Sequence, residues 1–473
     1  MQPPRGSTRL TALIVACALF MQNLDGTVIA TALPAMARAF GADPVHMNVA
    51  LTSYLLSLAV FIPMSGWMAD RFGARTVFRA AIAVFTLGSV LCGRADTLSF
   101  LVAARILQGA GGAMMVPVGR LVLLRTAAKH ELVAAMAWLS APALIGPVLG
   151  PPLGGILVTY ASWRWIFDIN VPIGLLGIAL VTRYVPNTRE PGAGRLDAVG
   201  LILSAITLAG LMFGFEALGR SLLPQWLAGT SLALGVLAAL LYVLHARRHT
   251  APLLDLTLVR LPTFLVSVLG GSLFRIGVGA TPFLLPMMLQ IGFGMSAVQS
   301  GAITFANAAG AIVMKPAATR ALRRFGFRDT LLVNGLFSAT TLALCAAFRP
   351  TWPLAGIYAV LLVGGLVRSL QFTAYNTIAF ADIPAARMSA ATSLYSTLQQ
   401  VSLTLGVTVG AAALEVAMAA TGHQRPALGD FSVGFLVVAA ISAVGAPVSL
   451  LMSRMAGAEM SGQRVRGKTG AGG

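Results

Sequence analysis

Residues 10–34 read LTALIVACALFMQNLDGTVIATALP, an apolar run that is interrupted near its centre by one carboxylate, Asp25. An α-helix rises ~1.5 Å per residue, so a run of this length crosses the ~30 Å hydrocarbon core of a bilayer. A carboxylate in that core costs at least ~2.5 kcal/mol, and such residues usually mark a functional site. The run therefore predicts a membrane-spanning helix, and Asp25 is its first candidate functional residue.

The same apolar pattern recurs along the whole chain. Of the 473 residues, 57% are hydrophobic and only 10% are charged, a composition that excludes a water-soluble globule. We expect an all-α membrane protein with fourteen spans. The predicted spans are 10–34, 47–68, 77–94, 98–120, 131–158, 163–183, 197–217, 224–246, 262–288, 297–316, 329–348, 353–376, 390–418 and 431–453.

The basic residues orient these spans. With the N-terminus in the cytoplasm, 24 lysines and arginines belong to inner segments and six to outer loops, in agreement with the positive-inside rule. We therefore expect a multi-pass protein of the cell inner (plasma) membrane with both termini cytoplasmic. This topology accounts for the net charge of +18, so we expect no nucleic-acid partner. Three arginines, Arg105, Arg275 and Arg368, remain inside predicted spans.

A weak repeat relates the two halves of the chain. The stretch 63–75, PMSGWMADRFGAR, and the stretch 316–328, PAATRALRRFGFR, share a proline, Arg-Phe-Gly and a final arginine. We expect a six-helix bundle at 1–184, a linker with two extra transmembrane helices at 185–261, a second six-helix bundle at 262–453 and a disordered cytoplasmic tail at 454–473. Related halves favour a transporter whose binding site lies between them.

Four motifs in order carry a resemblance to a known family. The loop 66–75, GWMADRFGAR, is similar to the signature loop G-x-x-x-D-R-x-G-x-[RK] of the major facilitator superfamily. The stretch 146–155, GPVLGPPLGG, resembles the glycine-proline motif of its antiporters. LDGT at 24–27 and WRWIF at 163–167 resemble markers of its fourteen-span drug:proton antiporter branch, the EmrB/QacA type. The resemblance implies the major facilitator fold, with two pseudo-symmetric six-helix bundles and two extra central helices.

The resemblance also implies a gate and a packing seam. Asp70 would hold a neighbouring helix N-terminus or an arginine and so lock the inner gate, whereas the loop arginines by themselves can be topology signals only. The gating loop comprises Gly66, Asp70, Arg71, Gly73 and Arg75. The antiporter motif, a close-packed seam that would also close the cavity on the outer side, comprises Gly146, Pro147, Gly150, Pro151, Gly154 and Gly155.

Asp25 and Arg105 are the most informative charged pair. Span 1 runs outward and span 4 runs inward, so the two side chains lie at one depth, roughly 5 Å to the outer side of the midplane. Either charge alone is costly in hydrocarbon, which favours contact between them. Burial favours a neutral carboxyl group and a nearby guanidinium favours the carboxylate, an arrangement that suits proton coupling. A static ion pair between spans 1 and 4 is the alternative.

Further candidates carry weaker signals. Glu415 and Asp168 are candidate second carboxylates; Glu415 could equally pair or snorkel, and Asp168 could be an interfacial group or a partner of Arg164. The candidate cavity residues are Tyr54, Phe274, Arg275, Gln290, Tyr375, Asn376 and Gln400. The cysteines lack metal-site spacing and the histidines fall in loops or at helix ends, so we expect no metal and no cofactor.

These observations predict a proton-coupled efflux transporter. The sequence has neither clustered catalytic side chains nor an ATP-binding loop of the G-x-x-x-x-G-K-[ST] type, so we do not expect an enzyme. The expected substrates are small hydrophobic or cationic compounds of several kinds. A dedicated exporter of one metabolite or antibiotic, or a proton symporter, is the alternative. We expect a monomer in the lipid bilayer, with a periplasmic adaptor and an outer-membrane channel as candidate partners.

Overall fold

The computed structural model describes residues 8–41, 47–189, 194–218 and 225–462, and within these ranges the chain is helical with no strand. The helices of the first part are α1 (Thr8–Phe40), α2 (Asn48–Phe61), α3 (Ser65–Phe72), α4 (Ala74–Gly93), α5 (Leu98–Thr126), α6 (Leu132–Tyr160), α7 (Trp165–Asp168), α8 (Asn170–Tyr184), α9 (Ala198–Leu218) and α10 (Gln225–Arg248). Those of the second part are α11 (Pro262–Met287), α12 (Ala297–Cys345), α13 (Leu354–Ile378), α14 (Met388–Thr421), α15 (Leu428–Gly445) and α16 (Ala458–Ser461). Most of the expected tail, from residue 463 onward, lies outside the described residues.

Eleven of the described helical segments are long and apolar enough to cross a membrane. α2 and α3 form one continuous segment, Val49–Phe72, and α7 and α8 form another, Trp165–Tyr184. α12 has 49 residues and one break, at Gly326, where the backbone φ is 71°. This break divides α12 into two helices, which cover the predicted span 297–316 and most of the predicted span 329–348. The chain is therefore a multi-pass helical membrane protein, and the count of fourteen spans stays a prediction.

The helices pack as two bundles and a lateral pair. In the first bundle α1 packs on α6, α4 on α5 and α8, and α2 on α5. In the second, α11 packs on α14 and α15, and α12 on α13. α9 and α10 pack on each other, and α9 also contacts α2 and α14, one helix from each bundle. The lateral pair thus reaches the seam between the bundles through α9.

The bundles meet differently at the two ends of the molecule. We call the end that carries the loop 66–75 the inner end and the opposite end the outer end. At the inner end one apolar cluster combines both bundles, with Leu132 of α6 packed in the same core as Leu322 and Ile378. At the outer end one apolar cluster lies within the first bundle and another within the second. The bundles are therefore joined most tightly at the inner end.

Candidate functional site

Asp25 and Arg105 are in direct contact inside the first bundle. Nη1 of Arg105 donates to Oδ2 of Asp25 across 2.6 Å, and the Arg105 and Asp25 side chains are 0% and 1% exposed. α1 supplies the carboxylate and α5 supplies the guanidinium. Each charge compensates the other in surroundings where either alone would be costly.

Amide and hydroxyl groups surround the other oxygen of Asp25. Nε2 of Gln108 and Nδ2 of Asn170 lie 2.9 and 3.1 Å from Oδ1 of Asp25. The same two nitrogens lie 2.6 and 3.2 Å from Oγ of Ser89. Sequence reasoning did not assign these three neutral residues to the site. The position of Gln108, one helical turn after Arg105, was the available signal, because residues three apart share a helix face.

The α2 helix holds the opposite side of the arginine. Nε of Arg105 donates to the backbone carbonyl of Ala50 at 3.1 Å. The guanidinium carbon lies 4.1 Å from the centre of the Tyr54 ring, a cation–π distance. These contacts fix the guanidinium between α1 and α2. A change in the charge of Asp25 would therefore be transmitted to both helices.

A cavity of about 670 Å³ lies between the two bundles. Its wall is mostly apolar and is formed by α1, α2, α5, α6, α9, α11, α13 and α14. It reaches outer positions of these helices, at Leu51, Phe283 and Ala411, while the inner end is closed by the shared apolar cluster. On α1 the wall includes Gln22, but Asp25 is not part of it. The carboxylate and the cavity are neighbours on one helix without direct contact.

The predicted cavity residues fall into three groups. Those that line the cavity are Asn376 and Gln400. Those that are buried within the bundles, outside the lining, are Tyr54, Phe274, Arg275 and Tyr375. Gln290 is exposed on a π-helical turn at the outer end of α11. Five of the seven therefore lie elsewhere than expected, because a helix that is apolar all round gives no sequence signal for the face that turns to a cavity.

One buried arginine was missed from the sequence. Arg120 ends the predicted span 98–120, yet α5 continues to Thr126 and Arg120 is only 2% exposed. It lines the cavity, and it is the one charged side chain in the lining among the residues that the structure describes. The apolar residues that follow it, LVLL at 121–124, were the signal that the helix continues.

A polar cluster around Asp70 joins the bundles at the inner end. Nη2 of Arg125 lies 2.8 Å from Oδ1 of Asp70, and Oγ of Ser389 donates to the same oxygen. Asp70 and Arg125 belong to the first bundle, whereas Ser389 lies at the start of α14 in the second. A Cβ added at Gly66 would lie 2.6 Å from the carbonyl oxygen of Ser389, so glycine permits this close approach. The position of Asp70 suits the gate that the family resemblance implies.

The rest of the loop 66–75 packs on the segment that follows α8. Gly73 has a backbone φ of 92°, and Nη1 of Arg75 donates to the carbonyl of Val185 at 3.5 Å. Arg71 is exposed. The loop therefore fixes α3 relative to the end of the first bundle, while Asp70 reaches across to the second.

A second link crosses the inner end at the surface. Nζ of Lys129 lies 2.6 Å from Oε2 of Glu459, and both side chains are largely exposed. The hydrogen bond between them raises the pKa of Lys129 and lowers the pKa of Glu459. A surface hollow of about 730 Å³ adjoins this pair. Because exposed ion pairs contribute little, the cluster around Asp70 is the stronger connection.

The glycine-proline motif of α6 packs on α1. A Cβ added at Gly150 would lie 2.0 Å from Oγ1 of Thr27, and one at Gly146 would lie 2.8 Å from Cβ of Asn23. Oγ1 of Thr27 also lies 3.3 Å from the carbonyl oxygen of Gly146. The seam therefore fixes α6 on the helix that carries Asp25.

Other members of the motif differ in their surroundings. Gly154 is buried, whereas an added Cβ at Gly155 would have no atom within 4 Å. The side chains of Pro147 and Pro151 lie outside the described part of the chain. Close packing against α1 is therefore observed at Gly146 and Gly150, whereas Gly155 has open space beside it.

The two candidate second carboxylates lie away from the cavity wall. Oδ2 of Asp168 lies 3.5 Å from Arg94. Arg164, the partner considered from the sequence, pairs instead with Asp96 at 3.2 Å, because its side chain reaches the turn after α4. Glu415 is exposed on α14. Neither carboxylate has the enclosed hydrogen-bonded environment of Asp25.

One group of side chains has metal-ligand chemistry. Ligand atoms of Asp197, His245 and His249 lie within 4.8 Å of one another near the inner ends of α9 and α10. The Asp197 carboxylate already has hydrogen-bond partners within the protein. It accepts from the backbone N–H groups of Gly200 and Leu253 and lies 2.8 Å from Nε2 of His245. Burial opposes its ionisation, but these hydrogen bonds prevail and lower the pKa of Asp197. The group fastens the start of α9 to the end of α10.

Helical bundles joined at one end around a central cavity define a membrane transporter. The family model described as Major Facilitator Superfamily matches residues 15–407, and the chain belongs to that superfamily. It is a transporter of small molecules and not an enzyme. The family and the all-helical fold expected from the sequence are confirmed.

Known relatives agree with this assignment. The chain is 43% identical over 411 residues to the "Putative multidrug resistance protein MdtD" of Salmonella heidelberg (strain SL476), covering 85% of this chain and 86% of that protein. It is 42% identical over 414 residues to the protein of the same name from Salmonella typhimurium (strain LT2), with the same coverage.

Solved structures share the fold. The human organic anion transporter MFSD10 (TETRAN) superposes with a TM-score of 0.66 at 15% identity, covering 95% of this chain and 100% of that chain. The proton:xylose symporter XylE gives a TM-score of 0.66 at 15% identity, covering 93% and 94%. At this identity the likeness concerns the fold alone, and it confirms the major facilitator fold.

Proposed function

We propose that this transporter exports small, largely apolar compounds from the cytoplasm in exchange for protons. The observation that carries the proposal is the enclosed Asp25–Arg105 pair, placed behind the wall of a central cavity. A carboxyl group in this position can change its charge without contact with the substrate. The name of the 43% identical relatives, a multidrug resistance protein, supports export as the direction.

Exchange requires that protons and substrate favour opposite conformations. When Asp25 is neutral, it no longer holds Arg105 by a full ion pair, and α1, α2 and α5 lose a common tie. The seam between α1 and α6 passes such a change to the bundle as a whole. The cluster around Asp70 would have to open for the cavity to reach the cytoplasm.

In the described part of the second bundle, Arg368 has no carboxylate partner of the kind that Asp25 provides for Arg105. Arg368 begins the stretch RSLQ at 368–371, which resembles RILQ at 105–108, and it donates to the amide oxygen of Asn307. A neutral amide does not titrate in the physiological range. We therefore assign proton coupling to Asp25 in the first bundle.

The cavity wall supports a broad substrate range. It is mostly apolar, and apolar contacts impose little directional selectivity. A dedicated exporter of one compound class remains the second candidate, because the wall also carries a few well-placed polar groups such as Asn376 and Gln399. We assign the protein to the inner membrane with both termini cytoplasmic, because its basic residues are concentrated in the loops of one side.

Transport in proteoliposomes tests the proposal. Protein would be inserted with its inner end facing outward, and an acidic interior would be imposed. Antiport predicts that a fluorescent apolar probe accumulates inside, that a protonophore abolishes this accumulation, and that Asp25→Asn abolishes it too. Glu415→Gln, a change on an exposed helix face, is the matched control and should transport normally. Symport predicts movement of the probe in the opposite direction, and this result would overturn the proposal.

A further inference from the structure

Two buried arginines lie against one aromatic ring, and one of them lines the central cavity. Arg120 belongs to α5 in the first bundle, and Arg275 belongs to α11 in the second. Their side chains are buried, with residue exposures of 2% and 1%. Their guanidinium carbons each lie 4.8 Å from the centre of the Tyr395 ring. The site therefore concentrates two positive charges around one aromatic side chain.

Neutral groups are the hydrogen-bond partners of these arginines. Nη1 of Arg120 donates to Oγ of Ser396 at 3.1 Å, and Nη2 donates to Oε1 of Gln399 at 2.9 Å. Nη2 of Arg275 donates to the Tyr395 hydroxyl and lies 3.5 Å from Oδ1 of Asn376. The Nε atoms of both arginines are buried without a hydrogen-bond partner.

Within the described residues, neither arginine forms an ion pair with a carboxylate, in contrast to Arg105. A buried charge is costly unless an opposite charge compensates it. Arg120 lines the cavity together with Ser396, Gln399 and Asn376, so the cavity is the route by which an anion could reach it. The same wall offers no carboxylate, among the described residues, to a cationic compound.

We propose that the inner end of the cavity binds the carboxylate of an apolar organic anion, with Arg120 as its direct partner. The inference deepens the proposed function by naming a substrate class, an apolar monocarboxylate, and it rests on that function for the direction of transport. The apolar part of the molecule would lie against side chains such as Leu139, Val278 and Phe372. Because Arg120 belongs to one bundle and Gln399 to the other, the bound anion would bridge the two.

Equilibrium binding without any proton gradient tests the inference. Purified protein in lipid nanodiscs would be titrated with 1-pyrenebutyrate, with its uncharged amide and with 1-pyrenebutylammonium. A charge-assisted hydrogen bond predicts that the carboxylate binds at least about tenfold more tightly than the amide. Arg120→Gln should reduce this preference to about twofold or less.

Two further variants separate binding from folding. Gln399→Glu is nearly isosteric and places a carboxylate beside Arg120, so it should abolish the preference for the anion while the protein stays folded. Arg368→Gln removes another buried arginine that does not line the cavity, so it should keep the preference. Normal gel-filtration and thermal-unfolding profiles would confirm the fold of each variant.

Clear outcomes would overturn the inference. These are equal affinity for the carboxylate and the amide in the unaltered protein, tighter binding of the ammonium compound, no binding of the carboxylate, or an unchanged preference in both Arg120→Gln and Gln399→Glu. If the protein shows no preference for the carboxylate but gradient-driven export is normal, the proposed substrate class is wrong and the proposed function stands. Normal anion selectivity without gradient-driven export would refute the proposed function alone.

Discussion

Arg105 holds the carboxylate of Asp25 at 2.6 Å, yet Asp25 does not line the central cavity. A substrate in the cavity would therefore have no direct contact with Asp25, the proposed proton-binding group, in this conformation. The proposed coupling would therefore have to pass through α1, which carries both Asp25 and the cavity residues Gln22, Asn23 and Thr27. The proposed gate at Asp70, the packing seam between α1 and α6, and the proposed proton site at Asp25 are distinct places in the structure. Each can therefore be altered and tested separately.

Asp70→Asn should weaken the inner gate. The change removes the ion pair with Arg125 and one acceptor of the cluster, a loss of about 1.5–3 kcal/mol for charge-assisted hydrogen bonds. Transport should fall by about tenfold or more, whereas the affinity for substrate should stay within about twofold, because Asp70 lies outside the cavity. Asp329→Asn, which alters a half-exposed carboxylate 3.9 Å from Arg454, is the control. Normal transport by Asp70→Asn would contradict the gating role.

Gly150→Ala should force α6 away from α1. The new Cβ would lie 2.0 Å from Oγ1 of Thr27, and such overpacking typically costs about 1–3 kcal/mol. We expect a lower unfolding temperature in detergent and reduced transport. In Gly155→Ala, a change in the same helix, the new Cβ would have no atom within 4 Å. The unfolding temperature and the transport rate should therefore be unchanged or slightly higher. Equal behaviour of the two variants would show that the seam does not depend on close packing.

Asp197 should make the α9–α10 pair sensitive to acid. Its pKa is lowered in the folded protein, so its contribution to stability is present above the ordinary aspartate range and is lost as the pH falls through the lowered value. Asp197→Asn should unfold at a lower temperature near neutral pH and lose less stability than the unaltered protein between about pH 5 and about pH 3. Asp96→Asn, at an exposed pair, is the control. Thermal unfolding across a pH series provides the measurement, and parallel curves for Asp197→Asn and the unaltered protein would rule out this contribution.

The sequence predicted the all-helical membrane fold, because bilayer thickness sets the length of an apolar span. It also placed Asp25 and Arg105 at one depth, since depth follows from counting residues along a helix. The sequence did not reveal which face of a buried helix lies against which neighbour, and so it did not assign Gln108 and Asn170 to the charged pair. Arg120 was missed for a different reason, because a charge at the end of a span looks like a loop residue until the helix is seen to continue to Thr126.

Proton release on substrate binding tests the central claim most directly. Purified protein in a weakly buffered solution with a pH indicator dye would receive the pyrene probe that it binds, across a pH series. If Asp25 couples transport to protons, the unaltered protein should release protons over part of that series, and Asp25→Asn should bind the probe but release none. Asp168→Asn, which changes a carboxylate outside the buried centre, should release protons normally. Unchanged release from Asp25→Asn, with binding intact, would contradict the account and leave Asp25 as a structural partner of Arg105.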